Sequence, residues 1–205
     1  ISNYILVHYI FHYYSMLYGC FLELDLLINF LIKQSRFLLF GLFTAFFASY
    51  GQTFFISIFN FQIRETLNLS NAQFGLLYSL ATILSAIILI WFGKLIDRID
   101  LRIYTFIISI GLAASCFLMF IIEHMPAILF VAIFGLRFFG QGAMGHASQT
   151  SMARYYESDR GKAISIGSFG QPIGEMILPL LAVFIMHLIG WRSVWFYCGL
   201  SLLFF

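Results

Sequence analysis

The sequence carries little charge for its length. Only 10% of its 205 residues are Asp, Glu, Lys or Arg, whereas 61% are hydrophobic. Soluble domains contain about 25% charged residues, because charged side chains cover the surface that faces water. The composition therefore excludes a soluble globular domain. A formal net charge of +2 gives no indication of a nucleic-acid partner.

Cysteine is also scarce, and the three cysteines, Cys20, Cys116 and Cys198, lie singly in apolar runs. They lack the paired spacing that is typical of a disulfide framework or a zinc site. His8 and His12 have the spacing of helical metal ligands, but they fall in a segment of uncertain status. We predict no metal and no cofactor. The sequence also lacks an evident nucleophile with a base, so we predict that the protein is not an enzyme.

Long apolar runs are what the sequence has in quantity. A bilayer core about 30 Å thick is crossed by roughly 20 apolar residues in a helix. Five runs are long enough, and a sixth begins at Ser193 but stops at residue 205; the five are 37–61, 72–92, 103–122, 127–153 and 163–188. The pattern predicts an all-α integral membrane protein with six transmembrane helices, the last of them truncated. Because the chain also begins at Ile1, we interpret it as a fragment of a longer parent.

Residues 1–35 are interpreted separately. The run 4–31 is apolar but contains Glu23 and Asp25, and it has neither the basic region nor the cleavage site of a signal peptide. Two interpretations stay open: an extra helix, or a leader that is absent from the mature protein, which we favour. Residues 36–205 are predicted to form the transmembrane domain.

Basic residues fall mainly on one side of the predicted helices. Short cytoplasmic loops are enriched in Lys and Arg. One side has Lys33, Arg36, Lys94, Arg98, Arg102, Arg154, Arg160 and Lys162, and the other has Arg64 and Arg192. The distribution predicts that the amino-terminal flank and the 93–102 loop lie in the cytoplasm, and that the protein resides in the cell membrane.

The loop 93–102, GKLIDRIDLR, packs five charges between two predicted helices. It resembles the signature loop between helices two and three of the major facilitator superfamily. The matching positions are Gly93, Leu95, Asp97, Arg98 and Arg102. Two positions depart, since Asp100 stands where the family usually has glycine and Leu101 where it has a basic residue.

In that family the loop acts in gating, so the resemblance implies a gating role for Gly93, Asp97, Arg98 and Arg102. An acidic residue adds nothing to positive-inside anchoring. We therefore expect Asp97, beside Arg98, to take part in a structural or gating ion pair.

Four further motifs resemble the same family and occur in the same order. They are Arg137 with Gly140-Gln141-Gly142, the loop Arg160-Gly161-Lys162-Ala163, the partial match Gly170-Gln171-Pro172-Ile173-Gly174, and Gly190-Trp191-Arg192. The resemblance covers about 37–205 and implies the amino-terminal six-helix half of a twelve-helix transporter. It also implies a missing carboxy-terminal half as partner, besides the lipid bilayer and a small-molecule substrate.

Gly140 to Gly145 also matches the G-x-G-x-x-G pattern of dinucleotide-binding proteins. That motif requires a preceding strand and a helix that begins at the glycines. Neither is predicted here, so we interpret these glycines, together with Gly170 and Gly174, as helix-packing positions.

Two opposite charges are predicted near the middle of the bilayer, Arg137 in the fourth helix and Glu175 in the fifth. A lone charge there costs at least about 2.5 to 3.5 kcal/mol and is normally paired or exposed to a watery path. Two interpretations are equally open: a permanent ion pair between helices, or a working site. In a working site Arg137 would hold a carboxylate by two parallel hydrogen bonds, and Glu175 would carry a proton.

Other polar residues lie on helix faces that could line a transport path. The predicted substrate-binding residues are Arg137, Gln141, Tyr50, Gln52, Thr53 and Gln171, with Glu175 for proton coupling. The second helix has a similar stripe of Tyr78, Thr82 and Ser85. His146 is predicted to lie on the opposite side of its helix from Arg137 and to be packed with a local hydrogen bond.

These observations predict a secondary transporter of a small solute that works by alternating access. A proton-coupled carrier of organic anions, such as carboxylates, is the first choice because of Arg137 and Glu175. The alternatives are a proton-antiport exporter of a neutral or cationic molecule, and a membrane scaffold or receptor that transports nothing.

Overall fold

The computed structural model describes residues 29–123 and 125–205. Most of the predicted leader or extra helix, 1–35, therefore lies outside the described residues. Contacts divide the chain into two units, Ile1–Leu39 and Phe40–Phe205. In the first unit, the described residues are mainly helical, and Gln34 N donates to Phe30 O at 3.0 Å. The contacts described below belong to the second unit.

Every regular element in residues 29–123 and 125–205 is helical. The α-helices are Ser35–Ala48, Thr53–Ser57, Asn60–Leu67, Asn71–Phe92, Leu101–Ile121, Pro126–Gly135, Gly145–Tyr155, Arg160–Ser168, Gly170–Ile189 and Trp191–Leu203. Two 3₁₀ turns occupy Ser49–Gly51 and Gly93–Asp97, and a π-helix occupies Leu136–Met144.

Five helical stretches are long and apolar enough to cross a membrane, and we number them spans 1 to 5. They are Ser35–Ser57, Asn71–Asp97, Leu101–Ile121, Pro126–Tyr155 and Arg160–Ile189. The all-α membrane fold predicted from the apolar runs is confirmed. The sixth predicted helix is Trp191–Leu203, called the last helix below.

Local sequence explains where several spans begin. Ser70 and Gln73 form a reciprocal capping box at the start of span 2. Asp100 caps span 3, because its carboxylate accepts a hydrogen bond from the backbone N–H of Arg102 at 2.7 Å. The departure from the family pattern at Asp100 therefore has a structural role. Gly190 has a φ of +87°, which favours glycine, in the turn before the last helix.

Span 1 packs backbone to backbone against two other spans. An added Cβ on Gly51 would overlap the Leu136 carbonyl oxygen of span 4, and one on Gly140 would lie 2.8 Å from the Gly51 Cα. On span 5, a Cβ on Gly170 would overlap the Leu42 carbonyl oxygen. Small residues permit such close approach of membrane helices. The packing interpretation is confirmed for Gly140 and Gly170, but it is wrong for Gly145, where an added Cβ would meet nothing within 4 Å.

Spans 2 and 5 have much less of their surface covered. In each, 17% of the most apolar stretch is buried, against 50–56% in spans 1, 3 and 4. Large apolar side chains on both spans are exposed, among them Leu76 on span 2 and Leu180 on span 5. These two spans thus present most of their surface outward from the unit.

Candidate functional site

The candidate site begins at a break in span 1. The helix Ser35–Ala48 gives way to a 3₁₀ turn, and Gln52 then adopts an extended backbone with φ −77° and ψ 152°. A second short helix, Thr53–Ser57, follows. Hydrocarbon offers no water to satisfy freed backbone groups, so a break within a span requires another partner.

Arg137 of span 4 supplies that partner. Its Nη1 donates hydrogen bonds to the backbone oxygen of Gly51 and to Oγ1 of Thr53, both at 3.1 Å. The side chain is only 8% exposed. Arg137 lies in the π-helix Leu136–Met144, and π segments within α-helices often mark functional sites. The irregular parts of spans 1 and 4 therefore meet at one guanidinium group.

Tyr78 brings span 2 into the same group of residues. Its hydroxyl donates to Thr53 Oγ1 at 2.9 Å, and its ring lies 5.4 Å from the guanidinium carbon of Arg137. This is a cation–π contact, which is strongest where the cation is removed from water. We call Gly51, Thr53, Tyr78 and Arg137 the Arg137 cluster. It joins spans 1, 2 and 4.

The other predicted substrate-binding residues are placed differently. Tyr50 is 5% exposed, and its hydroxyl lies 3.0 Å from Ser201 Oγ of the last helix, so it ties span 1 to that helix. Gln52 is the extended residue of the break. Gln141 is exposed and lies in the same π-helix as Arg137. The structure thus brings Thr53 to Arg137 but gives Tyr50 another partner.

The permanent ion pair considered for Arg137 and Glu175 is wrong. No ion pair joins these two residues in the described part of the chain, where the salt bridges are Arg154 with Asp97 and Lys162 with Asp159. Glu175 is exposed on span 5 and accepts a hydrogen bond from Gln171 Nε2 at 3.1 Å. Periodicity indicated that both charges lie inside spans, but it could not show which side chains meet.

Not every N–H donor of the guanidinium group has a hydrogen-bond partner in the part of the chain that the structure describes. Nη1 is occupied by span 1, whereas Nε is buried without a hydrogen-bond partner among the described residues. The expected pair of parallel bonds to a carboxylate therefore cannot use Nη1 in this conformation. The positive charge itself is close to Thr53, which is exposed.

The predicted gating loop contacts the end of span 4 through an ion pair and a hydrogen bond. Asp97 forms its ion pair with Arg154, and not with the neighbouring Arg98. Arg154 Nη1 also donates to the Ile96 backbone oxygen at 3.2 Å. The expectation that Asp97 forms an ion pair holds, but the partner comes from another span. A loop-to-helix contact of this kind cannot be deduced from residues adjacent in sequence.

His146 lies beside this loop. It is exposed, not packed, although the predicted local hydrogen bond exists as a 3.4 Å contact between Nδ1 and Thr150 Oγ1. With Lys94 and Asp97 it lines a cavity of about 350 Å³. Within 29–123 and 125–205, no three His, Cys, Asp or Glu side chains are grouped as a metal site would require.

We predict that the pair of Asp97 and Arg154 contributes little to stability. Both side chains are about half exposed, at 53% and 51%, and exposed pairs contribute about 1 kcal/mol or less. A double-mutant cycle with Asp97→Asn and Arg154→Gln, followed by thermal unfolding in detergent, should give a coupling energy of this size. A coupling energy several times larger would show that the pair is shielded from solvent in the folded protein.

Sequence reasoning missed two members of the Arg137 cluster. Tyr78 belongs to a polar stripe for which no binding role is predicted, and none of the motifs includes Gly51. The signal for Gly51 was available, since Ser49-Tyr50-Gly51-Gln52 interrupts an apolar span with a glycine and polar residues. Glycine-interrupted membrane segments are typical of transporter binding sites.

Comparison with known proteins agrees with this architecture. A family model described as Major Facilitator Superfamily matches residues 41–205. Neither a curated protein nor a solved structure matches the chain. The chain belongs to the major facilitator superfamily. It is an integral membrane protein of a family of secondary transporters for small solutes, whose members are not enzymes.

Proposed function

We propose that this transporter carries a small organic anion, such as a carboxylate, together with a proton, and that the Arg137 cluster binds the anion. The main observation in support is that Arg137 is buried without a carboxylate partner in the described part of the chain. Its guanidinium is buried within span 4, and no carboxylate in the described residues neutralises it. Its partners there are a backbone oxygen, a hydroxyl and an aromatic ring.

The surroundings of Arg137 favour an anionic ligand on energetic grounds. A charge within the bilayer costs at least about 2.5 to 3.5 kcal/mol unless it is paired or reaches water. Dipoles and a π-face compensate a cation only in part, whereas an anion supplies a full opposite charge. Arg keeps its proton under all physiological conditions, so its attraction for an anion does not depend on pH. A buried unpaired Arg137 therefore favours an anionic substrate over a cationic one.

Glu175 is proposed as the proton-carrying group. It is a carboxylate within span 5 that has no cation as partner among the described residues, and Gln171 is its recorded hydrogen-bond donor. Carboxyl groups within membrane spans often serve as proton relays in transporters. Gln171 then has the role of orienting Glu175, and Gln52 and Gln141 contribute polar surface near the Arg137 cluster.

Other parts of the transport machinery are assigned in the same way. The chain would supply one six-helix half, and a second half would cover the exposed faces of spans 2 and 5. The loop 93–102, with Gly93, Asp97, Arg98 and Arg102, would act in gating. The distribution of Lys and Arg supports placing this loop and the amino-terminal flank on the cytoplasmic side of the cell membrane.

The test is uptake of labelled monocarboxylates and dicarboxylates by the full-length protein in proteoliposomes, with and without an imposed pH gradient. We expect accumulation against the substrate gradient when protons flow inward with the substrate. Glu175→Gln should abolish accumulation but retain exchange of labelled for unlabelled substrate, because it removes the proton site and leaves the anion site.

Glu123→Gln is the matched control, since Glu123 is exposed and lies outside the spans. It should accumulate substrate as the parent does. Uptake that ignores the pH gradient in the parent would refute proton coupling. Absence of uptake for every carboxylate, in protein that remains folded, would refute the anion proposal and favour a neutral or cationic solute, or a scaffold.

A further inference from the structure

The hydroxyl of Thr53 is surrounded by donors. Arg137 Nη1 donates to its Oγ1 at 3.1 Å, and Tyr78 Oη donates to the same atom at 2.9 Å. A hydroxyl has two lone pairs and one proton. Both lone pairs are therefore used, and only the proton is left. Whatever else Thr53 contacts must accept that proton.

No acceptor for this proton exists among the described residues. Threonine in a helix often donates to the carbonyl one turn earlier, as Thr44 does to Phe40 O at 2.7 Å and Thr105 to Leu101 O at 2.8 Å. Thr53 makes no such bond.

The break in span 1 explains this difference. Thr53 follows the extended residue Gln52, so the regular helical backbone that serves Thr44 and Thr105 is missing at its amino-terminal side. Thr53 is also exposed, whereas Thr44 is buried. The break thus leaves one hydroxyl proton free on the open side of a cationic cluster.

We propose that Thr53 is the residue that donates a hydrogen bond directly to the substrate, and that Tyr78 is a positioning residue that fixes Thr53 as a donor. This inference rests on the proposed function and names the contact within it. Arg137 acts mainly through its positive charge, since Nη1 is held by span 1 and Nε is buried. Tyr78 acts through Thr53, because its hydroxyl occupies the second lone pair.

The arrangement determines which chemical groups are accepted. The substrate atom at Thr53 must be a hydrogen-bond acceptor, and beside Arg137 it is best negatively charged. A carboxylate or another oxyanion meets both conditions. An ammonium group meets neither, because it only donates and carries the same charge as Arg137. The cluster therefore selects oxyanions by polarity of the hydrogen bond as well as by charge.

The experiment compares saturation kinetics of carboxylate uptake by Thr53→Val, Thr53→Ser and Tyr78→Phe in the full-length protein. Loss of the donor in a hydrogen bond to a charged group raises KM about 10- to 100-fold. Thr53→Val should therefore show a KM rise of this size, with little change in maximal rate. Thr53→Ser keeps the hydroxyl and should stay within about 3-fold of the parent. Tyr78→Phe keeps the ring over Arg137 and should raise KM several-fold.

Thr105→Val is the matched control, because it also deletes one threonine hydroxyl from a span, and its KM should equal that of the parent. Parent-like KM in Thr53→Val overturns the inference while leaving the anion proposal intact. Absence of carboxylate uptake by the parent overturns both. Should Thr53→Val fail to fold, Thr53→Ser and Tyr78→Phe decide the matter, and equal KM in these two variants would overturn the inference.

Discussion

Gly51→Ala is expected to destabilise the protein by about 3 kcal/mol or more, because overpacking a tight interior costs about 1 to 3 kcal/mol even where side chains can move. At Gly51 they cannot move, since an added Cβ would overlap the Leu136 carbonyl and lie 2.6 Å from the Gln141 backbone nitrogen. Relief requires that spans 1 and 4 separate. Thermal unfolding in detergent measures the effect.

Gly75→Ala is the control for this prediction. Gly75 lies in span 2, and a Cβ there would meet nothing within 4 Å. Alanine is a better helix former than glycine, so this variant should match or slightly exceed the stability of the parent. Equal melting temperatures for Gly51→Ala and Gly75→Ala would contradict the backbone contact between spans 1 and 4.

The second large effect is expected at Arg137. Arg137→Gln removes the positive charge, and truncating a buried, hydrogen-bonded charge at a binding site typically costs 2 to 5 kcal/mol or more, which corresponds to a loss of about 30-fold to 5000-fold. Carboxylate uptake at low substrate concentration should fall accordingly. Arg137→Lys keeps the charge, but its ammonium group is one bond shorter than the reach of Nη1 to Gly51 O and Thr53 Oγ1 and lacks the planar group that contacts the Tyr78 ring, so intermediate uptake is expected.

Arg64→Gln is the matched control for Arg137→Gln. Arg64 bonds Asn60 on its own short helix, outside the five spans, so its loss should leave uptake close to that of the parent. Both variants must be shown to fold, by monodispersity in detergent. A folded Arg137→Gln with the uptake of the parent would mean that Arg137 only stabilises the break in span 1.

The positions of the spans could be predicted closely from the sequence. The predicted second span, 72–92, lies within the observed Asn71–Asp97, and the predicted third, 103–122, nearly coincides with Leu101–Ile121. Hydropathy predicts such boundaries because lipid rejects polar backbone and charged side chains locally, residue by residue. No knowledge of tertiary contacts is required.

Partners across helices could not be predicted in the same way. The sequence predicts similar depths for Arg137 and Glu175, but depth leaves the rotation and separation of two helices undetermined. Asp97 pairs with Arg154, far along the chain, and not with the adjacent Arg98. The π-helix around Arg137 also changes the angular position of every following residue in span 4. No simple pattern in Leu136–Met144 predicts a π-helix.

The break in span 1 also has a consequence for biosynthesis. Gly51 leaves the ribosome 86 residues before Arg137, the residue that donates a hydrogen bond to the Gly51 carbonyl. At 5 to 20 residues per second, this interval is roughly 4 to 17 s. An unsatisfied backbone group in hydrocarbon costs several kcal/mol. During insertion, span 1 therefore either remains a continuous helix or keeps its break in contact with water, and it acquires its final form only when span 4 arrives.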